Sequence, residues 1–171
     1  MKIYTIGHST RPIGEFIDIL NKYEIDLVVD IRSISRSHFN PQFDRYSLEK
    51  SLNDNGVYYV HMDSLGGFRN PLPYSVNEGW KNKRFRGFAD HMQTKDFKNG
   101  LKKLIHLSKK YNVVIMCSES LPWRCHRSLI ADALIVHGFD VYDIFNINTI
   151  KQHTLTPWAK INGRNITYPL D

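Results

Sequence analysis

Cysteine is scarce in this chain, with only Cys117 and Cys125 among 171 residues. Such a pair could close a disulfide only in an oxidising compartment. The opening Met1-Lys2-Ile3-Tyr4 offers no route there, because it runs into a short strand pattern without the charged start and long apolar stretch of a signal peptide. Long apolar runs are missing too, and nothing approaches the roughly 20 residues that span a bilayer. Internal repeats and low-complexity tracts are also absent. These absences lead us to expect a cytoplasmic protein with reduced thiols and no membrane partner.

What is present fits one α/β domain over residues 1–171. Hydrophobic residues make up 42% and charged residues 23%, an ordinary globular balance that argues against disorder. The formal charge of +6 and a pI near 9.3 favour a partner bearing phosphate or carboxylate groups, with nucleic acid among the candidates.

Strand and helix patterns alternate along the chain. Residues 2–6 read as a strand that stops at Gly7, and Pro12 is placed for the start of a helix carrying Ile13, Phe16, Ile17, Leu20 and Tyr23 at helical spacing. Residues 26–30 are a buried strand, 47–53 a helix and 57–60 a third strand. A helix through Phe97, Leu101, Leu104, Ile105 and Ser108 precedes the strand 113–116. The last repeat is a helix through Leu129, Ile130, Ala133 and Leu134, ending at Gly138, and a strand at 141–144. This alternation predicts a doubly wound, mainly parallel sheet of about five strands, and the order 3-2-1-4-5 is favoured because it puts a switch point between the first and fourth.

Two stretches depart from the pattern. In residues 62–93, glycines and prolines break every period around Phe68, Tyr74, Trp80, Phe85 and Phe88, interleaved with Arg69, Lys81, Lys83, Arg84 and Arg86. This stretch is expected to be an irregular flap over a cleft. Residues 150–171 hold the turn dipeptide Asn162-Gly163 between two β-prone runs, predicting a hairpin that serves as an edge ribbon.

Parallel strands deliver their following loops to one edge of the sheet, where ligands of such folds bind. Pooling those loops brings together His8 and Ser9; Asp30 and Arg32; Gly66, Gly67 and Arg69; and Cys117, Glu119, Arg124, Cys125, His126 and Arg127. The last group enters a helix whose free N–H groups and dipole favour an anion. Cys117 near those positive groups is a candidate nucleophile, Glu119 a general acid or base, and His8 a third catalytic candidate. The arginines, with Ser9, Asp30, Gly66, Gly67, Cys125 and His126, are expected to line the ligand site. Blander readings stay open: inert packing for both cysteines, a loop hydrogen bond for His8, and a bracing ion pair for Asp30 and Arg32. Cys117 and Cys125 lack the close spacing of a zinc site, so no metal and no cofactor is expected.

A set of motifs runs through nearly the whole chain in order: Thr5-Ile6-Gly7-His8-Ser9, Asp30-Ile31-Arg32, Asn40-Pro41-Gln42-Phe43, Leu65-Gly66-Gly67, Phe85-Arg86-Gly87-Phe88-Ala89-Asp90, Met116-Cys117-Ser118-Glu119, Pro122-Trp123-Arg124-Cys125-His126-Arg127-Ser128 and His153-Thr154-Leu155-Thr156-Pro157. In these the chain resembles the family known as domain of unknown function 488. The resemblance implies an α/β fold and recurrent polar positions at His8, Ser9, Asp30, Arg32, Cys117, Glu119, Cys125, His126 and Arg127; a DNA-repair label is sometimes attached to the family. Ser35 stands where many relatives carry Pro, and His38 where many carry Arg.

Three functions follow as expectations. The first is an enzyme, a hydrolase or transferase, acting on a small phosphorylated or nucleotide-like ligand. The second is a nucleic-acid-binding module that uses the basic aromatic run from Trp80 to Phe88. The third is a redox sensor in which Cys117 and Cys125 pair reversibly.

Overall fold

A computed structural model describes all residues 1–171. In chain order the elements are β1 (Lys2–Gly7), α1 (Ile13–Lys22), β2 (Leu27–Asp30), α2 (Arg45–Asp54), β3 (Tyr58–His61), α3 (Lys83–His91), α4 (Lys95–Ser108), β4 (Val113–Cys117), α5 (Arg127–Val136), β5 (Asp140–Asn146), β6 (Thr149–Gln152), β7 (Lys160–Asn162) and β8 (Asn165–Thr167). The fold is α/β around a mainly parallel sheet, as the alternation of periods predicts. No helix is long and apolar enough to cross a membrane.

The strand order is β3-β2-β4-β1-β5-β6, not the expected 3-2-1-4-5. The β1-to-β2 crossover leaves one place empty, and β4 fills it, pairing with β1 (Gly7 beside Cys117) and with β2 (Asp30 beside Met116). Periodicity identifies strands but not the gap that a crossover leaves. Burial shows the outcome: β4 is buried at every residue, while β3, at the edge, is half-exposed.

Connections from β1 to β3 step one way across the sheet, and those from β3 to β5 step back. Right-handed crossovers therefore put α1 and α2 on one face and α3, α4 and α5 on the other. The two apolar clusters divide in that way. Phe16, Ile17, Leu20, Leu48 and Leu52 pack on Tyr4, Ile6, Val28 and Val114. Phe88, Phe97, Leu101, Leu104, Leu129 and Leu134 pack on Ile3, Val29, Val113 and Ile115. Each such side chain contributes about 1.5–3 kcal/mol through burial. Because β4 feeds one face while both its neighbours feed the other, a crevice opens on each side of its carboxyl end.

Two further expectations are corrected. The 62–93 stretch is irregular, apart from one turn at Asp63–Leu65, only as far as residue 82: Asn82 accepts from the Arg84 and Phe85 N–H groups and so caps α3, which buries Phe88 and Ala89 in the core. Asp90 pins the preceding loop through the Leu72 N–H, Ser75 Oγ and Asn77 Nδ2. The terminal hairpin does form, with Gly163 at φ +64°. It makes its own two-stranded sheet, however, and the edge of the main sheet is β6, antiparallel to β5. Ile166 and Tyr168 anchor the hairpin in the core.

Candidate functional site

The site is built downward from the end of β4. Its last residue, Cys117, is followed by a loop that crosses the end of β1, where a Cβ at Gly7 would run into the Glu119 carbonyl. One 3-10 turn, Pro122–Arg124, then returns the chain to Cys125, just before α5. The two sulfurs lie 2.8 Å apart.

Beneath them is Arg127, fully buried. Its Nη1 donates to Cys117 Sγ at 2.7 Å and to the Glu119 carbonyl, its Nη2 to the Ser120 carbonyl at 3.0 Å, and its Nε to Thr5 Oγ1 at 3.3 Å. The Arg127 backbone N–H points at Cys125 Sγ, 3.4 Å away. Burial pushes the Cys117 thiol well above its ordinary value. At Cys125 burial acts in the same direction, but the hydrogen bond shared with Cys117 and the Arg127 charge outweigh it, so this thiol lies below its ordinary value.

His126 closes one side. Its Nε2 is 3.0 Å from the carbonyls of both Ile31 and Leu65, which only accept, so Nε2 carries the hydrogen. Burial holds the ring's pKa down, leaving a bare Nδ1 3.5 Å from Cys125 Sγ. Gly67 is required here, since a Cβ would stand 2.5 Å from that same Nδ1. His8 forms another wall, stacked on Phe43 at 4.3 Å. Burial lowers its pKa to about 4, so it is neutral; Nδ1 donates to the Ser9 carbonyl and Nε2 accepts from Arg32 Nη1 at 3.3 Å.

Above this floor a cleft of about 500 Å³ opens. It is lined by eight of the predicted site residues: His8, Arg32, Gly67, Cys117, Glu119, Arg124, Cys125 and His126. Arg36 and Arg84 join Arg32 and Arg124; with Arg32 paired to Asp30 behind it, three guanidinium groups stand against the single carboxylate of Glu119. Arg84 lies 4.8 Å from the centre of the Phe68 ring. Arg32 is held by a bidentate pair with Asp30, at 2.9 and 2.8 Å, and by the Phe43 carbonyl. Glu119 Oε1 accepts the Leu121 N–H at 3.2 Å, which shapes its own loop.

The remaining predicted residues lie outside the lining. Asp30 is buried behind Arg32, as the bracing reading has it. Arg69 turns back to the carbonyls of Gly66 and Asp63. Ser9, at φ 50°, docks its N–H on the Ser118 carbonyl. Arg127 lies under the floor instead of in the cleft. Arg36 was not singled out from sequence, although it stands in the loop after β2, and Arg84 was expected only as part of the basic aromatic run. A hollow of similar volume, about 530 Å³, lies toward the amino ends of the strands along α4 and contains none of the predicted residues.

Comparison with known proteins gives one match. Residues 12–134 fit the family model described as "Domain of unknown function DUF488". The chain belongs to the DUF488 family. No curated protein and no solved structure matches it. The match spans the helix after β1 through most of α5, and so takes in every cleft-lining residue except His8.

Proposed function

We propose that this DUF488 chain is an enzyme acting on a small phosphate-bearing, nucleotide-like anion, bound by arginines at the cleft mouth and reacting over the thiol pair at its floor. The supporting observation is the pairing of three guanidinium groups free of a carboxylate partner, Arg36, Arg84 and Arg124, with two sulfurs in contact, at the edge of the sheet where such folds bind ligands. Arginine suits phosphate because its planar fork donates two parallel hydrogen bonds. A cleft of about 500 Å³ is within the range of small-molecule sites.

In this reading Cys125 is the nucleophile in place of Cys117. It stands at the start of α5 and takes a backbone N–H there, and its thiol lies below the ordinary value. Glu119 serves as acid or base through its second oxygen. His8, neutral and with Nε2 occupied by Arg32, orients that guanidinium.

Anion-directed alkylation tests the proposal. Iodoacetate should label Cys125 faster than neutral iodoacetamide does, relative to a free cysteine, and inorganic phosphate or adenosine monophosphate should slow the labelling competitively. Equal relative rates with no protection by either anion would remove the reading.

A second reading, single-stranded nucleic acid, is supported by Phe39 and Phe68, 93% and 58% exposed at the mouth beside Arg36 and Arg84. Trp80 and Phe88 are not available for this, since Trp80 packs on Trp158, Phe85 and Tyr168, and Phe88 is buried. Oligothymidine affinity by fluorescence anisotropy should fall steeply with salt if this holds.

A further inference from the structure

We infer that Cys125 and Cys117 are the attacking and resolving thiols of a dithiol that reduces a small anionic disulfide bound in the cleft. This rests on the anion-cleft reading above and names its chemistry.

Three observations carry it. The sulfurs are 2.8 Å apart, and a disulfide needs about 2.0 Å, so closure takes a shift of under about 1 Å that side-chain rotation can supply. Both cysteines line the cleft while being only 3% and 6% exposed, so a bound ligand meets them at the floor. Arg127 is a buried cation with no carboxylate within ion-pair distance, and a buried charge is expensive unless paired. Cys117 Sγ is the ionisable group that the guanidinium touches directly, with Cys125 beside it and Asp143 one hydroxyl further off through Thr5, and that contact favours a thiolate at rest.

The steps balance without a cofactor. Cys125 thiolate attacks one sulfur of the bound disulfide R–S–S–R; that S–S bond breaks, a mixed disulfide forms on Cys125, and R–S⁻ leaves and takes a proton from solvent. Cys117 then gives its proton to solvent in the cleft, its thiolate held by Arg127 Nη1, and attacks Cys125 Sγ. The Cys117–Cys125 bond forms, and the second R–S⁻ departs and is protonated. Two electrons pass from the protein to the substrate, leaving two thiols and one intramolecular disulfide. An external dithiol, such as dithiothreitol in the assay, reduces the protein again. The cleft's arginines select R groups bearing phosphate or carboxylate.

The experiment mixes the reduced protein with coenzyme A disulfide (phosphate-bearing), glutathione disulfide (carboxylate-bearing) or bis(2-hydroxyethyl) disulfide (neutral). Released thiol and intact mass are followed. Wild type should lose two hydrogens and release two thiols per disulfide, at least about tenfold faster with an anionic substrate than with the neutral one. The faster of the two anionic arms identifies the group the arginines prefer. Cys117→Ser should stop at a mixed disulfide on Cys125, and Cys125→Ser should form none. Because either variant could unfold, a limiting iodoacetamide pulse on wild type, mapped by peptide, should label Cys125 first.

First labelling at Cys117, or adduct accumulating there in Cys125→Ser, overturns the assignment. If no thiol is released while phosphate still protects Cys125 from iodoacetate, the dithiol falls and the anion cleft stands. Equal rates for neutral and anionic disulfides overturn the anionic substrate and the cleft reading together.

Discussion

Two clusters of buried charge lie on the α5 face of the sheet, joined through Thr5, whose hydroxyl receives Arg127 Nε and donates to Asp143 at 2.5 Å. In one, Arg127 faces two sulfurs. In the other, His153 sits between Asp132 at 2.9 Å and Asp143 at 3.6 Å, and Asp132 also accepts from the Thr156 N–H, Thr156 Oγ1 and Tyr168 OH. The second cluster contributes no residue to the cleft; it fastens the carboxyl-terminal segment to α5. The first opens onto the cleft through Cys117 and Cys125. Burial of charge is therefore common to structure and chemistry here, and what separates them is access together with a group that can change its protonation state cheaply. A thiol at the floor of a cleft is such a group, whereas a carboxylate holding four donors is not.

The sharpest way to break this contrast is to remove the sealed anion. Asp132→Ala orphans His153 and the Thr156 and Tyr168 donors, and the expected loss of unfolding free energy is about 3–5 kcal/mol. Urea denaturation measures it, and a loss below about 1 kcal/mol would mean the cluster is not structural.

The same cluster sets a pH window. Burial alone would lower the pKa of His153, but its hydrogen bonds to Asp132 and Asp143 outweigh that and raise it to about 9, against 6.5 for the free side chain. A raised folded pKa gives stability that is complete below pH 6.5 and lost as pH rises through 9. The contribution is about 3 kcal/mol, from the size of the shift. Unfolding free energy measured from pH 6 to 10 should decline across that window in wild type and much less in His153→Gln. Parallel declines would remove His153 as the cause.

How far all this was legible from sequence depends on what sets each side chain's direction. Helix α1 and strands β2 and β4 are fixed by apolar spacing, because period decides which face a residue presents. The place of β4 between β1 and β2 is decided by the width of a crossover, which leaves no trace in local pattern. Helix α3 was missed although Phe85, Phe88, Ala89 and Met92 recur at helical spacing, because Gly87 sits among them and the glycines and prolines just before it read as loop. Gly87 is there because a Cβ would meet the Arg69 carbonyl, and the Asn82 cap with that apolar spacing was the local signal of the helix. In the site, pooling the loops found which segments meet, yet no period orients a loop side chain. Arg69 and Arg127 turned away from the cleft, and Arg36 and Arg84 turned in.

Arg127→Met should cost less than the loss of Asp132, although Arg127 is equally buried. When the guanidinium goes, Cys125 can take up a proton and leave no stranded charge, so the loss is set by the orphaned Glu119 and Ser120 carbonyls, about 2 kcal/mol. The Cys125 thiol should titrate higher than in wild type, because the Arg127 charge that holds it down is gone, read from the pH profile of iodoacetamide labelling. An unchanged profile would mean that Arg127 does not hold a thiolate, and the distinction between the two clusters would lapse.

The smallest effect separates the mouth from the floor. Arg84 and Arg124 are exposed and make no buried contact, so replacing both with alanine should change stability by less than about 0.5 kcal/mol. Each removes one forked donor from the cleft, however. Phosphate or adenosine monophosphate should then need about tenfold higher concentration to protect Cys125, a difference of about 1.4 kcal/mol. The labelling pH profile of the unliganded protein should stay close to wild type, since Arg127 and Cys117 still set the thiol. If the double variant instead moved that profile and left protection intact, the arginines at the mouth would be tuning the sulfur and the ligand would be held elsewhere.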